Sequence, residues 1–343
     1  MHFHSVCTTL DFVEDRLHLG KLQINLHFHS VCTIFVGEMK KWLTGILAML
    51  AALTGCQRSE PQGTKALEMG QAVYYWRTEL RLDSVERAFL RTHDIKKVYC
   101  RYFDVVMRDG EPMPNATLRF NDTLPKGIEM VPTIYITEDC MHARHEWLAK
   151  KLVERIRQMN ETNDISGVKE IQIDCDYTAR SRKTYYEFLK EIQYQLSARP
   201  KVACYRRDAR IINCRLSTTI RLHQLSMPAP PVDYGVLMIY NTGDPQKFME
   251  RNPILDMRDV APYLNRLKGY ALPLAAAYPV YSWQRQIHGV HIEHKVEADE
   301  ILRVKTAVES KRPELRRAIM TYCLDKENIN RYKTETYEAI YHH

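Results

Sequence analysis

Asp174 and Asp176 stand two apart in the stretch IQIDCDYT, residues 171–178. Carboxylates are costly to bury, and a pair on one face of a strand repels, so one of them holds its proton unless a cation lies close. Such a pair suits acid–base chemistry or is what remains of it. Strand alternation sends Gln172, Asp174, Asp176 and Thr178 to one face and Ile171, Ile173, Cys175 and Tyr177 to the other. The apolar set is expected to face a helical layer and the polar set a lumen. Arg221, which shares its parity with Thr219 and His223 in a later strand, is placed to supply the cation.

Positioning these residues takes a repeating frame. Eight strand-like runs occur, at 71–77, 97–105, 130–137, 169–177, 216–223, 234–241, 270–278 and 317–324. Between several of them lie segments of helical period: DSVERAFLRTHD (83–94), HEWLAKKLVERIRQMN (145–160), SRKTYYEFLKEIQYQLS (181–197) and DMRDVAPYLNRLKG (256–269). Positions 147, 148, 152, 153 and 156 form one oily helix face. Alternating strands and helices predict parallel strands joined by right-handed crossovers. Eight such units over residues 70–343 predict an α/β fold, a closed (β/α)8 TIM-type barrel. An open doubly wound sheet is the alternative, but no glycine-rich nucleotide loop follows the first strand. Residues 106–129 lack helical pattern and are expected to form an irregular second crossover. The stretch 284–312 is expected to insert a small element before the last strand.

Active sites of such barrels gather at the C-terminal strand ends. Those ends offer Trp76, Arg77, Asp104, Glu138, Asp139, Asp174, Asp176, His223, Tyr240, Asn241, Tyr281, Trp283 and Asp325. The sequence nominates Asp174, Asp176 and Tyr240 as catalytic candidates. Trp76, Arg77, Asp104, His223, Asn241, Tyr281 and Trp283 are the substrate-binding candidates. Each aromatic serves equally well as a ligand-stacking platform or as core, and the alternative for the aspartates is a polar network with Arg221 and His223.

Asp174-Cys175-Asp176-Tyr177-Thr178 resembles the fourth-strand D-x-D-x-E motif of glycoside hydrolase family 18. Two strands later Met238-Ile239-Tyr240-Asn241 resembles that family's M-x-Y-D. The resemblance covers residues 70–340 as architecture and some ten residues as motif. It implies a barrel, a glycan ligand, and roles for Asp176 and Tyr240 in orienting the substrate's N-acetyl group. The departures are Thr178, in the place of the glutamic acid that protonates the glycosidic oxygen, and Asn241 in place of an aspartate. A threonine hydroxyl is no acid near neutral pH, so the family's mechanism is not expected to run unchanged. The expectation is a degenerate or altered hydrolase that binds glycans, with a non-catalytic scaffold or interaction protein as the alternative. Another carboxylate near the rim, Asp104, Glu138 or Asp139, would have to replace the missing acid. No cofactor or metal is expected.

Near the start, MKKWLTGILAMLAALTGC (Met39 to Cys56) carries a charged head, an apolar run and small residues ending in cysteine. It predicts a secretory signal of the bacterial lipoprotein kind, with Cys56 lipidated and residues 57–69 as a tether. Gln57, which is not aspartate, favours the outer membrane, on either its periplasmic or its surface face. Residues 1–38, with HFHSVCT twice, then read as a non-native leader preceding a start at Met39. The net charge of +7 is spread without a basic stripe, which argues against nucleic acid, and a monomer is expected. The six cysteines after Cys56 admit fifteen full pairings, and Cys204 with Cys214, which flank one polar loop, is the first candidate among them. Cys100, Cys175 and Cys323 lie in apolar runs and are expected as buried thiols.

Overall fold

The computed structural model describes residues 69–197, 214–248, 250–287 and 289–342. The leader, the signal segment with Cys56, the tether up to residue 68, and Cys204 lie outside the described residues. Eight parallel strands close a barrel: β1 (Gln71–Tyr75), β2 (Ile95–Arg108), β3 (Glu129–Ile136), β4 (Glu170–Asp174), β5 (Arg215–Arg221), β6 (Tyr234–Met238), β7 (Leu274–Pro279) and β8 (Ile319–Tyr322). Each pairs with the next in chain order, and β8 returns to β1 with Ala72 opposite Met320. Closure leaves the barrel strands no free edge.

Helices α1 (Ser84–Thr92), α2 (His145–Thr162), α3 (Arg182–Ser197), α4 (Ala298–Lys311) and α5 (Thr334–His342) lie outside the strands. Asp83 caps α1 in a reciprocal box: its carboxylate accepts from the Glu86 N–H and the Glu86 carboxylate accepts from the Asp83 N–H, each at 2.9 Å. In α2, Leu148, Leu152, Val153 and Ile156 are buried as the spacing predicts, but Trp147 is 44% exposed and lies off the core face. The helix expected over 256–269 breaks into Met257–Val260, a short 3-10 turn and Leu264–Leu267. Pro262, which lacks an amide hydrogen, sits in that turn.

The second crossover is irregular, yet it is built of strand. β2 runs on to Arg108, turns through Asp109 and Gly110, both at positive φ, and returns as the antiparallel strand Glu111–Asn115. Pro112 and Pro114 bring no N–H to that outer strand, which blunts its edge. The expected insertion is a second hairpin, Ser282–Ile287 with Val290–Lys295, followed by α4.

Inside the barrel, β4 lays a polar ladder of Glu170, Gln172 and Asp174, all buried. At the bottom, Glu170 accepts from Lys97 Nζ (2.6 Å), Tyr99 Oη (2.9 Å), Ser217 Oγ (2.8 Å) and Tyr234 Oη. One rung higher, Tyr74 Oη donates to Gln172 Oε1 at 2.7 Å. Met69, counted above with the tether, is buried beneath, with its sulfur 3.2 Å from Tyr99 Oη. Outward-facing Ile171, Ile173 and Cys175 are fully buried on the helix side, as alternation requires, and Tyr177 stacks on Tyr185 of α3 at 4.7 Å. Buried Cys100, Cys140 and Cys175 and half-buried Cys214 and Cys323 carry free thiols. Cys214 is therefore not bridged as expected. Burial pushes the Cys323 thiol up to about 12.

Candidate functional site

The top of the ladder is the C-terminal mouth of the barrel. β4 ends at Asp174, two residues earlier than the alternation argument needs to carry Asp176 and Thr178 inward. Asp174 alone is a lumen residue, 3% exposed, accepting from Thr219 Oγ1 at 2.6 Å with Arg221 Nη2 4.0 Å away. Asp176 stands at the rim, half out in solvent, and accepts from Arg221 Nε. Arg221 thus supplies the expected cation to both carboxylates. Burial still lifts the Asp174 pKa above the ordinary carboxylate value, against the pull of Arg221 and with the push of Asp176. Burial works against the charge on Arg221, but the two carboxylates more than offset it and raise its pKa.

Thr178 leaves the lumen altogether. Its hydroxyl donates to Glu138 Oε1 at 2.6 Å and its amide donates to the same oxygen at 3.2 Å, joined by Ser181 Oγ at 2.6 Å. Burial opposes the charge on Glu138, but these donors outweigh it and hold the carboxyl below its usual range. Glu138 is therefore an anion fastened at the start of α3, with no proton to give at neutral pH. Asp139 is exposed and accepts from Thr137 Oγ1.

Beside Asp176, a cavity of about 310 Å³ is lined by Arg221, His223, Tyr240, Asn241, Thr242 and Tyr263. A pocket of this size suits a small ligand of sugar dimensions. Tyr240, two residues past the end of β6, is 2% exposed, and its hydroxyl has no hydrogen-bond partner among the described residues. Burial, then Tyr74 and Tyr322, raises its pKa, so it remains a proton donor. Asn241, at positive φ, accepts from the Tyr281 hydroxyl. His223 lies past the end of β5 in a 3-10 turn, and partial desolvation of its ring lowers its pKa below the ordinary imidazole value.

Aromatic rings floor the mouth. Tyr322, whose peptide bond to Cys323 is cis, stacks on Tyr240 at 4.8 Å and meets Trp76 at 5.7 Å and Tyr281 at 5.4 Å. Trp76 is half-buried, with Arg101 over its ring at 5.6 Å, and Arg101 Nε donates to Asp104 Oδ1 at 2.7 Å. Two nominated residues lie elsewhere. Arg77, past the end of β1, turns to α1 and donates to Glu86 at 2.7 Å. Trp283 lies on the second hairpin and stacks on Phe248 at 6.5 Å. Asp325 caps the short helix Lys326–Ile329.

Sequence reasoning missed Tyr135 and Tyr322. Both were inside marked strands, and Tyr135 pairs with Asp174 on one side and Asp104 on the other. Parity counted from Asp174 across the sheet would have found it.

No family model matches the chain, and no curated protein does. Solved structures similar to it include a chitinase from Bacteroides thetaiotaomicron, 12% identical, with a TM-score of 0.49 over 79% of this chain and 96% of that one. The spore cortex-lytic enzyme SleL of Bacillus cereus is 15% identical, with a TM-score of 0.46 over 76% and 73%. A GH18 chitinase mutant from Cycas revoluta, solved with (GlcNAc)4, is 9% identical, with a TM-score of 0.46 over 79% and 99%. The chain is similar to these barrels, and its own closed order of eight parallel strands makes it a (β/α)8 barrel.

Proposed function

We propose that the mouth of the barrel binds a glycan without hydrolysing it efficiently. The observation that carries this reading is the Tyr240 hydroxyl. A buried polar group left without a partner is destabilising, and this one belongs to the wall of a cavity that also offers Asp176, Arg221 and His223. A sugar hydroxyl or amide oxygen at that wall would satisfy it. The mouth combines aromatic rings with polar groups, as sugar recognition needs. The missing acid supports the absence of efficient hydrolysis: Thr178 is bound to Glu138, and Glu138 is an anion.

Tyr240→Phe tests the reading. Removing a hydroxyl without a partner leaves the melting temperature unchanged or higher, while glycan affinity, measured by calorimetry, falls about three- to ten-fold. Equal affinity in both proteins would rule out this contact. The scaffold alternative draws on the internal pairing of the other polar groups, Asp174 with Thr219, Asp176 with Arg221 and Asn241 with Tyr281. It predicts that no glycan binds at all.

The lipoprotein reading belongs to the same proposal. Cys56, diacylated at the end of its signal, would hold the barrel at the outer membrane as a monomer. Expressed in a bacterial host, the chain is expected to incorporate labelled palmitate and to sediment with outer membranes. Cys56→Ser is expected to lose the label and the membrane. A wild-type chain without label would refute the anchor.

A further inference from the structure

Three strands bring three side chains side by side at the mouth. Asp104 on β2, Tyr135 on β3 and Asp174 on β4 are opposite one another in the ladder, and all three share the inward parity. Asp104 and Asp174 are buried and paired, Asp104 with Arg101 and Asp174 with Thr219 and Arg221. Tyr135 is half-exposed, and its hydroxyl makes no hydrogen bond to any described residue. It is placed differently from Tyr240, which is buried and lines the cavity beside Asp176. Burial, then Asp176 and Asp174, pushes the Tyr135 phenol up to about 12, so it stays a donor across the physiological range.

The charges around it are uneven. Among the described residues, Asp104 pairs with Arg101, and Asp174 and Asp176 with Arg221, so both guanidiniums are already engaged by those aspartates. Arg77 is turned away toward Glu86. A ligand carboxylate arriving here would meet carboxylates and find both arginines engaged, and like charges brought together cost several kcal/mol.

We infer that Tyr135 is a ligand-contacting hydroxyl of this mouth, and that the mouth takes uncharged or cationic sugars and rejects anionic ones. Tyr135 donates to an oxygen of the sugar, while the exposed Asp176 accepts from its hydroxyl or amino groups. The inference rests on the glycan-binding reading above and adds to it a residue and a charge class.

Calorimetric titration of the purified chain tests it, using the N-acetylglucosamine tetramer, its deacetylated form and an oligogalacturonate of the same length. The neutral or the deacetylated tetramer is expected to bind, and the oligogalacturonate to bind at least about ten-fold more weakly. Tyr135→Phe is expected to weaken the bound sugar about three- to ten-fold with an unchanged melting temperature. Equal affinity of Tyr135→Phe and wild type overturns the contact, and an oligogalacturonate that binds as well as the neutral tetramer overturns the charge class. If none of the three sugars binds, glycan binding itself fails and the inference falls with it.

Discussion

Arg221→Met is expected to cost about 3–5 kcal/mol of folding stability at pH 7, as removal of one partner from a buried ion pair does. The side chain is 18% exposed and serves two carboxylates, one of them Asp174 at 4%. Without it, Asp174 is a buried charge with only the Thr219 hydroxyl for company. The sign of the pH dependence follows from the raised pKa of Asp174, which burial lifts. A carboxyl whose folded pKa lies above its unfolded value, about 3.9, favours the folded state fully only below that value. That contribution is lost as pH rises through the folded pKa. The variant therefore loses less stability at pH 4 than at pH 7. Asp174→Asn in the same chain recovers most of the loss, because its amide oxygen still accepts from Thr219. Urea unfolding at the two pH values measures this, and an equal loss at both would show that Asp174 is not the group Arg221 serves.

Thr178→Glu is expected not to create a glycosidase. Absence of a general acid costs about 10²- to 10⁴-fold, and restoring a carboxyl at this position looks at first like a repair. The structure argues otherwise. The Thr178 hydroxyl points to Glu138 Oε1 at 2.6 Å, away from the cavity beside Asp176. A glutamate there would meet the Glu138 carboxylate and break a cluster that also holds Ser181. Hydrolysis of a chromogenic N-acetylglucosaminide should stay at background in wild type and variant alike, and the variant should melt at lower temperature. A rise of about 100-fold over wild type would mean that residue 178 can swing into the mouth.

The barrel was legible because its signal repeats. Eight apolar runs, separated by segments of helical period, admit few other solutions, and each predicted strand overlaps an observed one. What failed was the ends. Strand four was read through Tyr177, yet the ladder stops at Asp174, so the parity that put Asp174 inside did not extend to Asp176 or Thr178. Strand six was read through Asn241 and stops at Met238, with Asn241 in the left-handed region. Strand ends are set by which crossover they meet, and that is tertiary information. Asp109-Gly110 is a hairpin signal readable in the sequence, and the absence of helical period over 106–129 is the counterpart of the strand pair it joins. Arg221 was placed correctly because parity within β5 is short-range. Arg77 lies past the end of β1, as Asp176 lies past β4, so strand parity does not place it, and it turns to Glu86 of α1.

The central claim is that this mouth holds a sugar and does not cut it. Incubating the N-acetylglucosamine tetramer with the purified chain, and following bound ligand and released reducing ends in the same samples, tests both halves together. Saturable binding with no release of reducing ends above the protein-free control is the predicted result. Reducing ends formed at a rate that Asp176→Asn abolishes would contradict it, as would a tetramer that never binds.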